Sequence, residues 1–246
     1  MGKRPAHHPA PAAPFVPPAG EAPDYIVGED KAVLGFGSAS LFVALIPRAE
    51  ACEVIRAHHY SGRVVNNSYI HLGVWVGGER LGVLQLGYAL NPRRVEHVVS
   101  NTGIDEYLEL NRMWLSDKAP RNSESRALAY VVRWLRRALP RIRWIQSFAD
   151  ERCGGWGGVY QAANFTYVGS HICDFWLLDG EVYHKVTVTA KRRSGDRGAH
   201  LRANISRATR ARYRQFRYVF FVKPSARRDL RMSIYPYPKV SQLLAA

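Results

Sequence analysis

The chain has 246 residues, 47% of them hydrophobic, which suits one sizeable domain with appendages or two small domains. Its formal charge is +15, and residues 191–246 hold 15 Lys and Arg against 2 Asp and Glu, so a near-neutral body with a basic, polyanion-binding end is expected, the plainer alternative being a solvated basic tail. No run approaches the roughly 20 apolar residues of a membrane span; no secretory leader is expected, and Cys52, Cys153 and Cys173 fit a reducing cytoplasm better than a disulfide framework.

Residues 1–23 are rich in Pro and Ala without periodicity and predict a disordered arm, in which His7 and His8 are not ligands. Residues 32–46 alternate Leu34, Phe36, Leu41, Val43 and Leu45 with small or polar residues and predict a strand or hairpin. A helix follows over residues 49–58, with Gly62 as its stop, so that His58, His59 and Tyr60 stand at a helix-to-loop boundary where they can face a cleft or merely cap. Residues 69–76 and 80–88 read as strands joined by Gly77-Gly78.

The stretch 107–169 is the centre of the chain. Its first strand, apolar at Leu108, Leu110, Met113 and Leu115, runs into a Pro-containing loop over residues 116–123. Ser123 is expected to cap a helix carrying Leu128, Val131, Val132, Leu135 and Leu139 at helical spacing, with Pro140 as its stop. A second strand over residues 144–148 follows, so the pair predicts a right-handed parallel crossover with Asp150 just past a strand end. A short helix near residues 156–164, strands at 166–170, 173–178 and 182–189, a helix at 199–214 with Arg202, Arg207, Arg210, Arg212 and Arg214, and an aromatic strand at 216–222 complete the reading. The arginines suit DNA phosphates, while the aromatic strand is expected to pack as an extra core strand. The predicted fold is α+β: a mixed sheet with flanking helices, one parallel crossover at its centre and a basic C-terminal extension. Its units would be the arm at 1–23, a catalytic domain at 24–190 and a DNA-binding extension at 191–246.

At the start of the central helix, residues 118–126 offer N–H donors, Arg121, Arg126 and the hydroxyls of Ser123 and Ser125 beside Asn122, the parts needed to hold a phosphate or pyrophosphate. The glycine spacing of a Walker or dinucleotide loop is absent.

The order of strand, Arg-rich loop, amphipathic helix and strand, then Val-Tyr-Gln-Ala-Ala-Asn-Phe at residues 159–165, resembles the acyl-CoA-binding core of GNAT acyltransferases. A narrower resemblance is to the bacteriophage Mom family of DNA adenine-modifying proteins. It rests on His59-Tyr60-Ser61-Gly62, Glu109-Leu110-Asn111-Arg112-Met113-Trp114, Arg121-Asn122-Ser123-Glu124-Ser125-Arg126 and the run from Ser147 to Gly157, and covers roughly residues 45–222. It implies an enzyme of the host bacterial cytoplasm that converts adenine's 6-amino group in double-stranded DNA to a carbamoylmethyl form, protecting phage DNA from restriction. Carried over, His59, Tyr60, Asp150 and Tyr160 match the active centre, and Arg112 and Ser125 match the acyl-cofactor site. An iron ion, iron(II), is associated with that centre in the family, and His59 and Asp150 could supply an oxygen and nitrogen ligand set for it. The donor would be acetyl-CoA or another activated molecule.

Asp150 with His59 or Tyr60 could equally act as general base and acid. The amine lies in the base stack, so the adenine would be flipped into the cleft, with Trp156 or Tyr160 stacking on it or simply packing. The competing functions are acetyl transfer to a protein or small amine and non-catalytic DNA binding. The assembly state is open, a homodimer included.

Overall fold

The computed structural model of the chain describes residues 18–189 and 197–239. The arm expected over residues 1–23, with His7 and His8, lies outside them up to residue 17. Strands β1 (Asp24–Val27), β2 (Val33–Ser38), β3 (Leu41–Leu45), β4 (Ser68–Val76), β5 (Glu79–Gly87), β6 (Tyr107–Leu115), β7 (Trp144–Asp150), β8 (Thr166–Leu178), β9 (Glu181–His184) and β10 (Thr209–Phe221) form one sheet. Their order is β1-β2-β3-β4-β5-β6-β7-β10-β8-β9, and β6 with β7 is its parallel pair. The helices are α1 (Arg48–His58), α2 (Ser123–Ala138), α3 (Gly158–Ala162), α4 (Lys185–Thr189) and α5 (Arg197–Ala203). The α+β architecture with a single parallel crossover is therefore present.

The two long helices cover opposite faces. On α2, Ala127, Leu128, Val131, Val132 and Leu135 recur at helical spacing and bury against β2 and β3, while Trp134 donates its indole N–H to the Val33 carbonyl at 2.8 Å. On α1, Ala51 and Ile55 meet Val83, whose neighbour Leu84 points into the α2 core. Each such fully buried aliphatic side chain contributes about 1.5–3 kcal/mol.

Several local expectations are corrected. Residues 24–27 form the unforeseen β1, and the two strands expected over 166–178 are one, β8. The strand expected over 182–189 ends at His184 and gives way to α4. The helix expected over 199–214 is α5 followed by a 3-10 turn at Ile205–Arg207 and the start of β10. Arg210, Arg212 and Arg214 recur every two residues, the period of a strand. Ser123 is the first residue of α2 rather than its cap; Asn122 takes the cap position in left-handed geometry (φ 69°) without a side-chain cap hydrogen bond. Strand β10, from the segment expected to form an extension, lies between β7 and β8, with Phe216, Tyr218 and Val219 buried.

The feature that positions the site is a divergence. Strands β6 and β7 pair only at Tyr107 with Trp144, Leu108 with Ile145 and Glu109 with Gln146, although both continue well beyond. On its other edge β6 carries an extra residue: Leu110 faces Leu86 and Arg112 faces Gln85, leaving Asn111 as a bulge. Its side chain is pinned by Ser68 Oγ donating to Oδ1 at 2.9 Å, while Nδ2 donates to the Tyr88 carbonyl at 3.2 Å and Glu109 Oε1 at 3.1 Å. The bulge bends β6 away from β7 and puts Glu109 and Arg112, three residues apart, on one face. Asn111→Leu, which keeps the volume and removes these hydrogen bonds, is expected to lower stability by about 1–3 kcal/mol in chemical denaturation.

Candidate active site

The divergence leaves a gap with two faces. Alternation along β7 places Gln146, Phe148 and Asp150 on one face and Ile145, Ser147 and Ala149 on the other, which is the α2 side.

On the first face stand His59, Tyr60, Arg112 and Asp150. His59 closes α1, its N–H donating to the Ile55 carbonyl at 3.2 Å, and it is only 8% exposed. The Ser61 backbone N–H donates to His59 Nδ1 at 3.1 Å, and the Ser61 hydroxyl lies 2.8 Å from the same nitrogen. An Nδ1 that accepts leaves the proton of the neutral ring on Nε2. Burial, then the Arg112 guanidinium, lowers the His59 pKa to about 4. The ring is therefore a neutral hydrogen-bond donor at physiological pH.

The Tyr60 ring is exposed and lies 4.2 Å from the His59 ring, while its hydroxyl turns in toward the Cys153 thiol and Asp150. Withdrawal from water there, then those two groups, holds the phenol above its ordinary pKa. Arg112 Nε donates to the Arg63 carbonyl at 3.0 Å and thereby braces the loop that follows His59. Asp150 accepts from the Arg152 backbone N–H at 3.0 Å, and both of its oxygens accept from Arg152 Nε, at 3.1 and 2.9 Å. Arg152 in turn lies 4.1 Å from the Phe175 ring centroid. Asp150 so engaged anchors Arg152 at the mouth of the gap.

Tyr160 stands apart from these residues. It packs between Phe165 and Tyr218, at ring centroid distances of 5.6 and 5.3 Å, and its hydroxyl bonds Ser147 on the α2 face. Burial raises its pKa.

That second face also carries the loop expected to hold a donor. Arg121, Asn122, Ser123 and Ser125 line an open depression of about 420 Å³ with Ser40, Arg126 and Ala162. Ser123 N–H is satisfied by the Pro120 carbonyl, Ser125 Oγ donates to the Asn122 carbonyl at 3.1 Å, and Arg126 is held by Ser40 Oγ at 2.7 Å. The α2 start, without a side-chain cap, presents its positive end to this depression. Arg112, expected with this group, lies instead with His59 and Tyr60 because the bulge turns it there.

Among the basic residues of the C-terminal segment Arg207, Arg210 and Arg212 are exposed, Arg202 and Arg214 half-buried, and most are engaged. Arg207 pairs with Asp179 at 2.7 Å, Arg210 with Asp174 at 2.7 Å, and Arg212 lies 3.8 Å from Asp174. Arg202 donates to the Thr187 carbonyl at 3.3 Å, and the Arg214 backbone N–H donates to Glu151 at 2.6 Å. Arg210, Arg212 and Arg214 share the side of β10 that carries Phe216 and Tyr218, away from Asp150.

The residues present do not make a complete iron site. Among the described residues no group of three or more His, Cys, Asp or Glu is placed to hold a metal ion, and both Asp150 oxygens are taken by Arg152.

Sequence reasoning missed Glu109. It accepts from Gln146 Nε2 at 2.7 Å and from Asn111 at 3.1 Å, and burial, opposed by those hydrogen bonds and by Arg217 and Arg112, pushes its pKa up to about 7. The signal available was the lone carboxylate of its strand, flanked by Leu108 and Leu110.

The Mom protein family model matches residues 40–239. The chain is 50% identical over 210 residues to the methylcarbamoylase Mom of Escherichia phage Mu, covering 84% of this chain and 87% of that protein. Solved structures similar to it include the ribosomal-protein-S5-alanine acetyltransferase from Vibrio fischeri, with 10% identity, 78% and 98% of the two chains covered and a TM-score of 0.45. They also include Arabidopsis thaliana NAA60 with a bisubstrate analogue, with 11% identity, 74% and 97% covered and a TM-score of 0.46. On the extent of the family match and the 50% identity, the chain belongs to the Mom protein family.

Proposed function

We propose that this protein is a transferase that converts the 6-amino group of adenine in double-stranded DNA to its carbamoylmethyl form, and so shields phage DNA from restriction in the host cytoplasm. The observation that carries this is the 50% identity to a phage methylcarbamoylase across a span that includes both faces of the β6–β7 gap.

The gap lets the two halves of the reaction approach from opposite sides of the sheet. The depression at Arg121 to Ser125 suits the pyrophosphate of acetyl-CoA or the anionic end of another activated donor, held by the uncapped helix start and the nearby guanidinium groups. Direct acyl transfer would leave a carbonyl carbon on the amine, whereas the carbamoylmethyl product carries a methylene there. The donor must therefore present an activated methylene.

On the other face the adenine is flipped out of the stack at a cost of a few kcal/mol. Here His59, neutral and protonated on Nε2, donates a hydrogen bond to a carbonyl oxygen rather than removing a proton. Asp150 keeps Arg152 oriented at the mouth, and Arg112 keeps the His59 loop in place. Tyr160, on the donor side with its proton retained, suits protonation of a departing group. Arg202 and Arg207 supply salt-dependent affinity for DNA phosphates, Arg207 by exchanging Asp179 for phosphate, while Arg210, Arg212 and Arg214 extend the basic surface along β10 on the face away from Asp150.

Nucleosides from the DNA of cells expressing this chain are expected to include a carbamoylmethyl-adenine mass, and its absence from such digests would refute the function. The role of His59 is checked separately by NMR. Its ring should stay neutral and Nε2-protonated down to about pH 4. Because the folded pKa lies below the unfolded 6.5, stability should fall as pH drops from about 6.5 toward 4. His59→Ala is expected to lower kcat about 10²–10³-fold, with His59→Gln, which retains a donor near the Nε2 position, less impaired.

A further inference from the structure

The gap holds a set of polar atoms that the expected active-centre residues do not use. Gln146 spends its Nε2 on Glu109, and its Oε1 is buried without a hydrogen-bond partner among the described residues. On the adjacent strand Gln215 Nε2 and Arg217 Nε are buried in the same condition. The register puts them on one face of the sheet: Arg217 faces Phe148, the next residue along that face from Gln146, and Gln215 faces Asp150, one position farther on. Arg217 also stacks on Phe148, 5.0 Å from its ring centroid. Buried polar atoms without partners are costly, about 1–3 kcal/mol each, and a cluster of them beside a cleft marks groups meant for something else.

The chemistry of the set is specific. Glu109 and Gln146 Oε1 are acceptors, and Gln215 Nε2 and Arg217 Nε are donors. A primary amine on a heteroaromatic ring offers two N–H donors to the first pair, and its ring nitrogens accept from the second. Phe148 supplies a flat surface beneath such a ring.

The other groups near the gap do not remove a proton readily. Asp150 is ion-paired with the Arg152 guanidinium through both oxygens, whereas the Glu109 oxygens accept only from the neutral amides of Asn111 and Gln146; His59 already has its basic Nδ1 occupied, and the Tyr60 phenol keeps its proton. The charged groups facing Glu109 are Arg112 from its own strand and Arg217 from β10, while β5 presents Gly87 and β7 Gln146.

We propose that Glu109 and Gln146 hold the exocyclic amine of the acceptor base over Phe148, and that Glu109 is the catalytic residue that takes the amine's proton. This rests on the adenine-modifying reading above. As the step occurs, the amine nitrogen forms a bond to the methylene of a carbamoylmethyl donor carried on an anionic leaving group. The bond from that methylene to the leaving group breaks and its electron pair departs with that group. One N–H bond breaks, its pair stays on nitrogen, and the proton passes to a Glu109 oxygen. The ionised carboxylate is required, so turnover is lost as pH falls through about 7, the value to which burial raises this carboxyl.

Two measurements test this with the full chain. Glu109→Gln, which keeps the side-chain shape, should lower kcat about 10²–10⁴-fold while binding of a duplex without the mismatched adenine changes little. It should also abolish the limb of the pH profile near 7, and Glu109→Asp should restore part of both. A variant that keeps kcat within threefold and retains the limb overturns the proton-acceptor role. The second measurement needs no turnover: binding of a short duplex with one mismatched adenine is compared with the same duplex carrying purine, which lacks the amine, at that place. Wild type should favour adenine at least tenfold, and Glu109→Gln should lose the preference. If wild type modifies no DNA yet shows this preference, the enzymatic reading falls and the amine subsite stands. If wild type shows no preference, or the variant keeps it, the subsite falls whatever the reaction.

Discussion

One extra residue in a strand governs this molecule. Asn111 interrupts the register between β5 and β6, and from that point β6 no longer follows β7. Two strands that part within a sheet would ordinarily leave unpaired backbone and an unstable seam. The cost is offset locally. Asn111 is fixed by Ser68, Tyr88 and Glu109, Arg112 donates to the Asn111 carbonyl at 2.6 Å, and the Ser147 hydroxyl reaches the Leu110 carbonyl at 3.4 Å. The same groups that repair the seam also line it, so stability and chemistry meet at one place.

The second consequence is a division of labour by face. Alternation along β7 and β10 sorts residues to one side of the sheet or the other without regard to their order in the chain. Tyr160 and the Arg121 to Ser125 loop fall on the α2 side, whereas His59, Glu109, Arg112 and Asp150 fall on the α1 side. The proposed donor and acceptor therefore share no wall and meet only through the opening. Specificity for each can be set by separate residues.

Much of this was legible in the sequence where a single period dominates. The stripe on α2, the Gly77-Gly78 turn and the crossover follow from spacing alone, because burial on one face demands it. The segment 199–214 misled because an arginine-rich run suits a solvated helix, whereas its every-second-residue period reflects pairing with β8, a partner far away in the chain. At the site, His59, Tyr60 and Asp150 stood out through family resemblance. Arg112 could not be placed, since a one-residue bulge reverses the side to which it points. Glu109 was hidden for a different reason: its character comes from Gln146, 37 residues distant, and from burial, neither of which its neighbours reveal.

Strand β10 links the whole to the order in which the chain is made. It comes from the last quarter of the sequence, yet it sits between β7 and β8, hydrogen bonded to both along most of its length. During synthesis β7 and β8 emerge first and cannot pair directly without closing the slot that β10 must enter. The nascent chain therefore holds two open strand edges until its final stretch is released, and an edge of that kind invites mispairing with other chains. Without β10 the sheet would part between β7 and β8, so the strand that carries Gln215 and Arg217 is also the bridge between its two portions.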